Sequence, residues 1–132
     1  VLLDAGTTSV EIARQLAQVE PLTVVTNALN VALELGAAPA QRLILLGGAF
    51  HQESSSTVGP IAVQSLAGLA VRTLFLGTQA FDAAHGLTDS TMEIAEVKRA
   101  MIRCAQRVVL VTDSSKWGRT SLTRVAALDE ID

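Results

Sequence analysis

Val1-Leu2-Leu3-Asp4-Ala5-Gly6-Thr7-Thr8 opens the chain, and the order of these residues decides the fold. A short apolar run suited to a buried strand ends at a carboxylate, and a glycine then leads into two threonines. These start an amphipathic stretch from Thr8 to Gln18. Strand, tight loop and helix form the first half of a βαβ unit, which pairs its strands in parallel through a right-handed crossover. Gly6 lets the backbone approach a ligand, while Thr7 and Thr8 bring hydroxyls beside the free N–H groups and positive end of the helix. That chemistry suits a phosphate or carboxylate; a plain helix cap is the simpler account of either threonine alone. The loop is not a P-loop and lacks the three glycines of the dinucleotide fingerprint, which disfavours ATP and NAD.

Four further apolar runs extend the pattern: Leu22 to Thr26, Leu43 to Leu46, Val71 to Leu76 and Val108 to Thr112. Each is apolar at nearly every position, as strands covered on both faces must be. Amphipathic stretches near Ala28 to Leu35, Gly59 to Leu69 and Met92 to Ala105 separate them. The alternation predicts a doubly wound α/β fold, a mostly parallel sheet with helices on both faces. Past Gly118 the pattern weakens: Ser121-Leu122-Thr123 fits a short strand or a turn, and Val125 to Leu128 is apolar enough to dock.

The carboxyl end of every predicted strand carries small or hydrogen-bonding residues. They are Asp4 to Thr8, Thr26-Asn27, Gly47-Gly48, Gly77-Thr78 and Asp113-Ser114-Ser115-Lys116. Ligands of open parallel sheets bind at this edge, so five loops are expected to converge on one pocket. Any one loop is equally well explained as a tight turn or cap.

Lys98 falls on the apolar face of its helix, with Ile94, Val97, Met101, Ile102 and Ala105, opposite Glu96, Arg99, Arg103 and Gln106. A lysine there snorkels to an edge, pairs with an acid, or points into a pocket that holds an anion. Lys116 follows Asp113 and two serines at a strand end, where it meets an anionic ligand or is a surface lysine in a capped turn. Asp4 has two readings as well, bonding a sugar hydroxyl or bracing the first loop. Trp117 reads as the apolar anchor of its loop, with a pocket lid as the alternative. His51 and His85 lack ligand-spaced partners and read as exposed loop histidines, so no metal site is expected. Serines 54 to 56 read as a polar loop before the Gly59-Pro60 helix start, and Gly-x-Ser-x-Gly is absent.

The 132 residues match the size of one domain, and 49% hydrophobic content supplies a closed core. A formal charge of -3 removes the basic footprint that nucleic-acid binding by this chain itself requires. The lone Cys104 reads as a small buried hydrophobe. No apolar run has the length of a membrane span, which with the absence of a leader pattern leads to the expectation of a cytoplasmic protein. Both ends look cut, Val1 inside a strand pattern and Asp129-Glu130-Ile131-Asp132 after Leu128, so a longer natural protein is expected.

These motifs, taken in order, resemble the effector-sensing domain of DeoR-family bacterial transcriptional regulators. The resemblance rests on Leu3-Asp4-Ala5-Gly6-Thr7-Thr8, Val25-Thr26-Asn27, Leu46-Gly47-Gly48, Phe75-Leu76-Gly77, Gly86-Leu87-Thr88, Glu96 to Ile102 and Asp113-Ser114-Ser115-Lys116. It spans nearly the whole chain. Three positions depart from the family's habit: Ala80 replaces a frequent Gly, Ile94 a frequent acid (with Glu93 one residue before it), and Trp117 the usual Phe. The resemblance implies a fold like that of ribose-phosphate isomerase and the CoA transferases. It also implies a phosphorylated sugar or related metabolite as ligand, no cofactor, and a dimeric or tetrameric assembly. Operator DNA would be met only through an N-terminal winged helix-turn-helix domain outside this chain.

In that sensor reading Thr7, Thr8 and Lys116 hold the phosphate, Lys98 adds charge, and Asp4, Asn27 and Asp113 read hydroxyls. Gly6, Thr26, Gly47, Gly48, Gly77 and Ser115 complete the pocket, and no residue is catalytic. The rival is a sugar-phosphate isomerase or amino-sugar deaminase, for which Asp82 and Glu93 are the candidate bases. A purely structural oligomerisation domain is the third reading.

Overall fold

The computed structural model describes all 132 residues, Val1–Asp132. Five strands form one parallel sheet: β1 (Leu2–Leu3), β2 (Thr23–Thr26), β3 (Arg42–Leu45), β6 (Val71–Leu76) and β9 (Ala105–Leu110), in the order β3-β2-β1-β6-β9. The helices are α1 (Thr7–Leu16), α2 (Leu29–Gly36), α3 (Pro60–Ala67) and α4 (Met92–Cys104). Two small antiparallel sheets stand beside the main one, a hairpin of β4 (Ala49–His51) and β5 (Ser56–Val58), and a set β10-β8-β7 made of β7 (Ala80–Asp82), β8 (Gly86–Asp89) and β10 (Thr123–Ala126). The doubly wound α/β expectation holds.

Alternation along each strand divides the core in two. Leu2, Val25, Leu74 and Leu76 pack with Ala62 and Leu66 of α3 and Ala95 and Met101 of α4. Their chain neighbours Leu3 and Val24 pack on the other face with Ala13 of α1 and Val31 and Leu35 of α2. Successive strand residues point to opposite faces, so a strand covered on both must be apolar at every position. From β1 the chain winds outward through β2 to β3, then crosses back and winds the other way from β6 to β9. Right-handed crossovers running in opposite directions put α1 and α2 on one face and α3 and α4 on the other. Winding therefore reverses between β1 and β6, where a crevice opens at the strands' carboxyl ends.

Several sequence expectations shift. The last parallel strand begins at Ala105, directly after Cys104 closes α4, and ends at Leu110 instead of Thr112. It is an edge strand whose Gln106 and Arg107 are exposed, so polar residues hid its start. Ser56, read as part of a loop, opens β5 and is 3% exposed. The undecided stretch after Gly118 supplies β10, paired with β8, and the one-turn 3-10 helix Leu128–Glu130. No helix is long and apolar enough to cross a membrane.

Candidate functional site

At the crevice, Asp4 leaves the end of β1 and Gly77 the end of β6; Asp4 Oδ2 accepts the Gly77 backbone N–H at 3.0 Å. Lys98 reaches the same point from α4. Its Nζ lies 3.2 Å from Asp4 Oδ2, 2.9 Å from Asp89 Oδ2 and 3.0 Å from the Gly77 carbonyl oxygen. An ammonium has three N–H donors, and these three acceptors engage all of them. All three side chains are buried, Lys98 at 7% exposure, Asp4 at 2% and Asp89 at 4%. Burial pushes the Asp4 carboxyl upward, with Lys98 and the Ala5 backbone pulling against it. Burial alone would lower the Lys98 ammonium, but Asp4 and Asp89 outweigh it and hold its pKa above the ordinary lysine value. The lysine thus stays charged between the two acids.

Above this triad lies a cavity of about 360 Å³ whose 26 lining residues include only five hydrophobic ones. That volume matches a small metabolite, and the polar lining matches one rich in hydrogen-bonding groups. One wall is the start of α1. Gly6 holds φ 130°, a left-handed conformation open to glycine, and no side chain caps the helix. The first helical bond runs from Val10 N to Gly6 O, so the N–H groups of Thr7, Thr8 and Ser9 have no helical partner. Asn27 lines the second wall, at 3% exposure. Its Nδ2 donates to the Thr57 carbonyl at 2.8 Å, while its Oδ1 is buried without a partner. Lys116, which forms no ion pair, enters from the 3-10 turn Ser114–Lys116 after β9.

The lining includes Asp4, Gly6, Thr7, Thr8, Asn27, Gly77, Lys98, Asp113 and Lys116 from the sequence reading. Four of its residues lie elsewhere. Thr26 is 0% exposed, and its hydroxyl donates to the Leu3 carbonyl and accepts the Ala28 N–H, bracing β1 against β2 inside the core. Gly48 serves packing: a Cβ there, at φ 141°, would stand 2.6 Å from the Val58 carbonyl oxygen, whereas one on Gly47 would make ordinary contact with Ile61 at 3.8 Å. Ser115 is exposed and turned onto Asp113, which accepts both its backbone N–H and its hydroxyl and is held below the usual carboxylate range by those bonds. Lys98 pairs with acids, and its charge is spent on them.

Other residues were missed. Asp89 directly follows Gly86-Leu87-Thr88, where the recognised motif stopped. His51 was expected on an exposed loop, yet it ends β4, is half-buried and lines the cavity with Ser54 and Ser56. The alternating Ala49-Phe50-His51 and Ser56-Thr57-Val58 segments were the available signal. His85 is exposed, as expected, and Trp117 packs edge-on against Phe81 at 5.1 Å between ring centroids, anchoring its loop. The two candidate bases are not in the lining: Asp82 is tied to Thr120 and His85, and Glu93 is exposed on α4.

Comparison with known proteins bears on this arrangement. A putative aga operon transcriptional repressor of Escherichia coli O157:H7 is 38% identical over 132 residues, covering 100% of this chain and 49% of its own length. The HTH-type transcriptional regulator GlpR of Haloferax volcanii is 39% identical over 132 residues, covering 100% of this chain and 51% of its own. The transcriptional repressor AccR of Agrobacterium fabrum is 35% identical, covering 99% and 51%. The chain spans about half the length of the curated relatives it matches. The family described as DeoR C terminal sensor domain matches residues 1–132, from end to end. The chain therefore belongs to the DeoR C-terminal sensor domain family.

Proposed function

We propose that the cavity binds a phosphorylated sugar or a related phosphorylated metabolite, and that binding controls the grip of the full-length protein on operator DNA. The observation that carries this reading is the uncapped start of α1, whose free N–H groups and threonine hydroxyls open into a polar cavity beside the unpaired Lys116. A phosphate fits there because N–H groups at a helix start and one ammonium both complement its charge. Lys98 serves differently from the sequence reading: it holds the crevice floor together. With four carboxylates and two lysines in the lining, no broad positive field attracts an anion, so the α1 end and Lys116 carry that task.

We read the full-length protein as a cytoplasmic, oligomeric regulator with a separate N-terminal DNA-binding domain; the family and relatives named as transcriptional repressors or HTH-type regulators support its regulatory part. Sensing needs only a difference in affinity between two arrangements of the linked DNA-binding domains. Isomerase chemistry needs a base at the reacting carbon. Asp82 and Glu93, the bases that the isomerase reading names, lie outside the lining.

A thermal-shift panel of ribose 5-phosphate, glucose 6-phosphate, glucosamine 6-phosphate and the unphosphorylated sugars tests the reading. A binding sugar phosphate at about 100 times its Kd raises the melting temperature by roughly 10 °C. Lys116→Ala abolishes most of that shift and leaves the ligand-free melting point within about 2 °C. No shift with any sugar phosphate refutes the ligand class, and product formation refutes pure sensing.

A further inference from the structure

The β4–β5 hairpin contributes a row of bonded polar groups to the cavity that the phosphate reading does not use. Ser56 Oγ lies 2.6 Å from Ser54 Oγ, which lies 2.8 Å from His51 Nδ1. The Ser54 backbone N–H also donates to that Nδ1, at 3.3 Å. A backbone N–H only donates, so Nδ1 is an acceptor and the neutral ring carries its proton on Nε2. The bonds the ring makes within the protein are both at Nδ1, which leaves Nε2–H to a ligand or solvent. Across the hairpin's inner edge, Asn27 shows the complementary gap. Its amide orientation is fixed because Nδ2 faces the Thr57 carbonyl, and a flipped amide would set oxygen against oxygen. Its buried Oδ1 is therefore an acceptor left without a donor. A buried orphan acceptor is costly, and one lining a cavity is satisfied when a ligand donor arrives.

We propose that Asn27 Oδ1 and His51 Nε2–H form a hydroxyl-reading subsite, distinct from the α1 phosphate end, that selects a polyhydroxylated ligand body. An alcohol both donates and accepts, so a ligand carrying hydroxyls satisfies both groups, whereas a fully ionised oxyanion accepts from Nε2–H but offers no donor to Asn27 Oδ1. Asn27 also holds the hairpin in place: its backbone oxygen accepts the Thr57 N–H at 2.8 Å. The residue that reads the ligand is thus the one that sets the position of the wall bearing His51.

This rests on the sugar-phosphate reading above, and calorimetric titration separates the two. The probes are inorganic phosphate and the best-binding member of ribose 5-phosphate, glucose 6-phosphate and glucosamine 6-phosphate, each against wild type, Asn27→Ala and His51→Ala. Each variant is expected to weaken the sugar phosphate roughly 5- to 20-fold and inorganic phosphate by less than about 2-fold. His51→Ala leaves the Asn27–Thr57 clamp intact, so it decides the matter if Asn27→Ala does not fold. Equal losses for both probes, or an unchanged sugar-phosphate affinity in His51→Ala, overturn the subsite alone. A wild-type chain that binds no sugar phosphate overturns the functional reading and the subsite with it.

Discussion

Replacing Lys98 with methionine is the sharpest perturbation of the crevice. The side chain keeps its length and its apolar stem, but the charge between Asp4 and Asp89 is gone. At 3.2 Å and 2.9 Å the two attractions are worth about 5 and about 6 kcal/mol at an effective dielectric of ~20. Desolvation of the ammonium offsets much of this, and breaking a buried pair by removing one partner costs about 3–5 kcal/mol. A cost of about 4 kcal/mol multiplies the unfolded fraction by roughly a thousand and consumes a large part of an ordinary domain's stability. The sign with pH follows from the carboxylates. Burial already raises Asp4 and the Asp89 charge adds to this, so without the opposing Lys98 its folded pKa exceeds the unfolded one by more. A raised folded pKa stabilises below the unfolded value and loses that contribution as pH rises through the folded value. The Lys98→Met deficit is therefore largest at pH 7 and shrinks toward pH 5, whereas wild-type Lys98 keeps its stabilising charge until pH exceeds its raised pKa. Urea unfolding at both pH values measures this, provided the slope m is unchanged. A loss under about 1 kcal/mol, equal at both pH values, would show that water reaches the triad and would refute the buried-charge argument.

Thr26→Val removes a buried hydroxyl that both donates and accepts. It should cost about 1–3 kcal/mol in urea unfolding and leave sugar-phosphate affinity within about 2-fold, a larger affinity change contradicting its place in the core. Gly48→Ala forces a Cβ against the Val58 carbonyl at an unfavourable φ. A loss of about 2–4 kcal/mol is expected, with proteolysis of the β4–β5 hairpin as a local readout. Asp82 is held at about 2, below the ordinary 3.8, chiefly by Thr120 and the His85 N–H. A depressed folded pKa stabilises above the unfolded value and is lost as pH falls through the folded one. Fluorescence of the single Trp117, packed on neighbouring Phe81, should therefore change between about pH 4 and pH 2, and Asp82→Asn should remove that step.

Legibility in the sequence followed the range of the interactions. Strand segments buried on both faces, such as Leu2-Leu3 and Val24-Val25, are apolar at successive positions and announce themselves. The three-residue strands β4 and β7 owe their pairing to partners beyond a turn, so Phe50 or Phe81 alone says little. Lys98 illustrates the middle case. Its place on an apolar helix face required a partner, but Asp4 lies 94 residues away in sequence and Asp89 belongs to an unrecognised strand, so no local pattern could choose between acids and a ligand.

The order of residues by itself determined the parallel α/β architecture, because apolar periodicity and chain handedness are local properties that leave few alternatives. It also determined that the loop from Asp4 to Thr8 opens a helix at the ligand edge, since Gly6 and two threonines dictate that turn. Only the tertiary structure decided which polar groups are spent and which are free. Lys98 is consumed by two carboxylates and a carbonyl, Thr26 by the backbone of β1, and Ser115 by Asp113. Asn27 Oδ1 is left over. Whether a donor finds its acceptor depends on distances of about 3 Å between segments remote in sequence, and those distances exist only once the sheet has assembled.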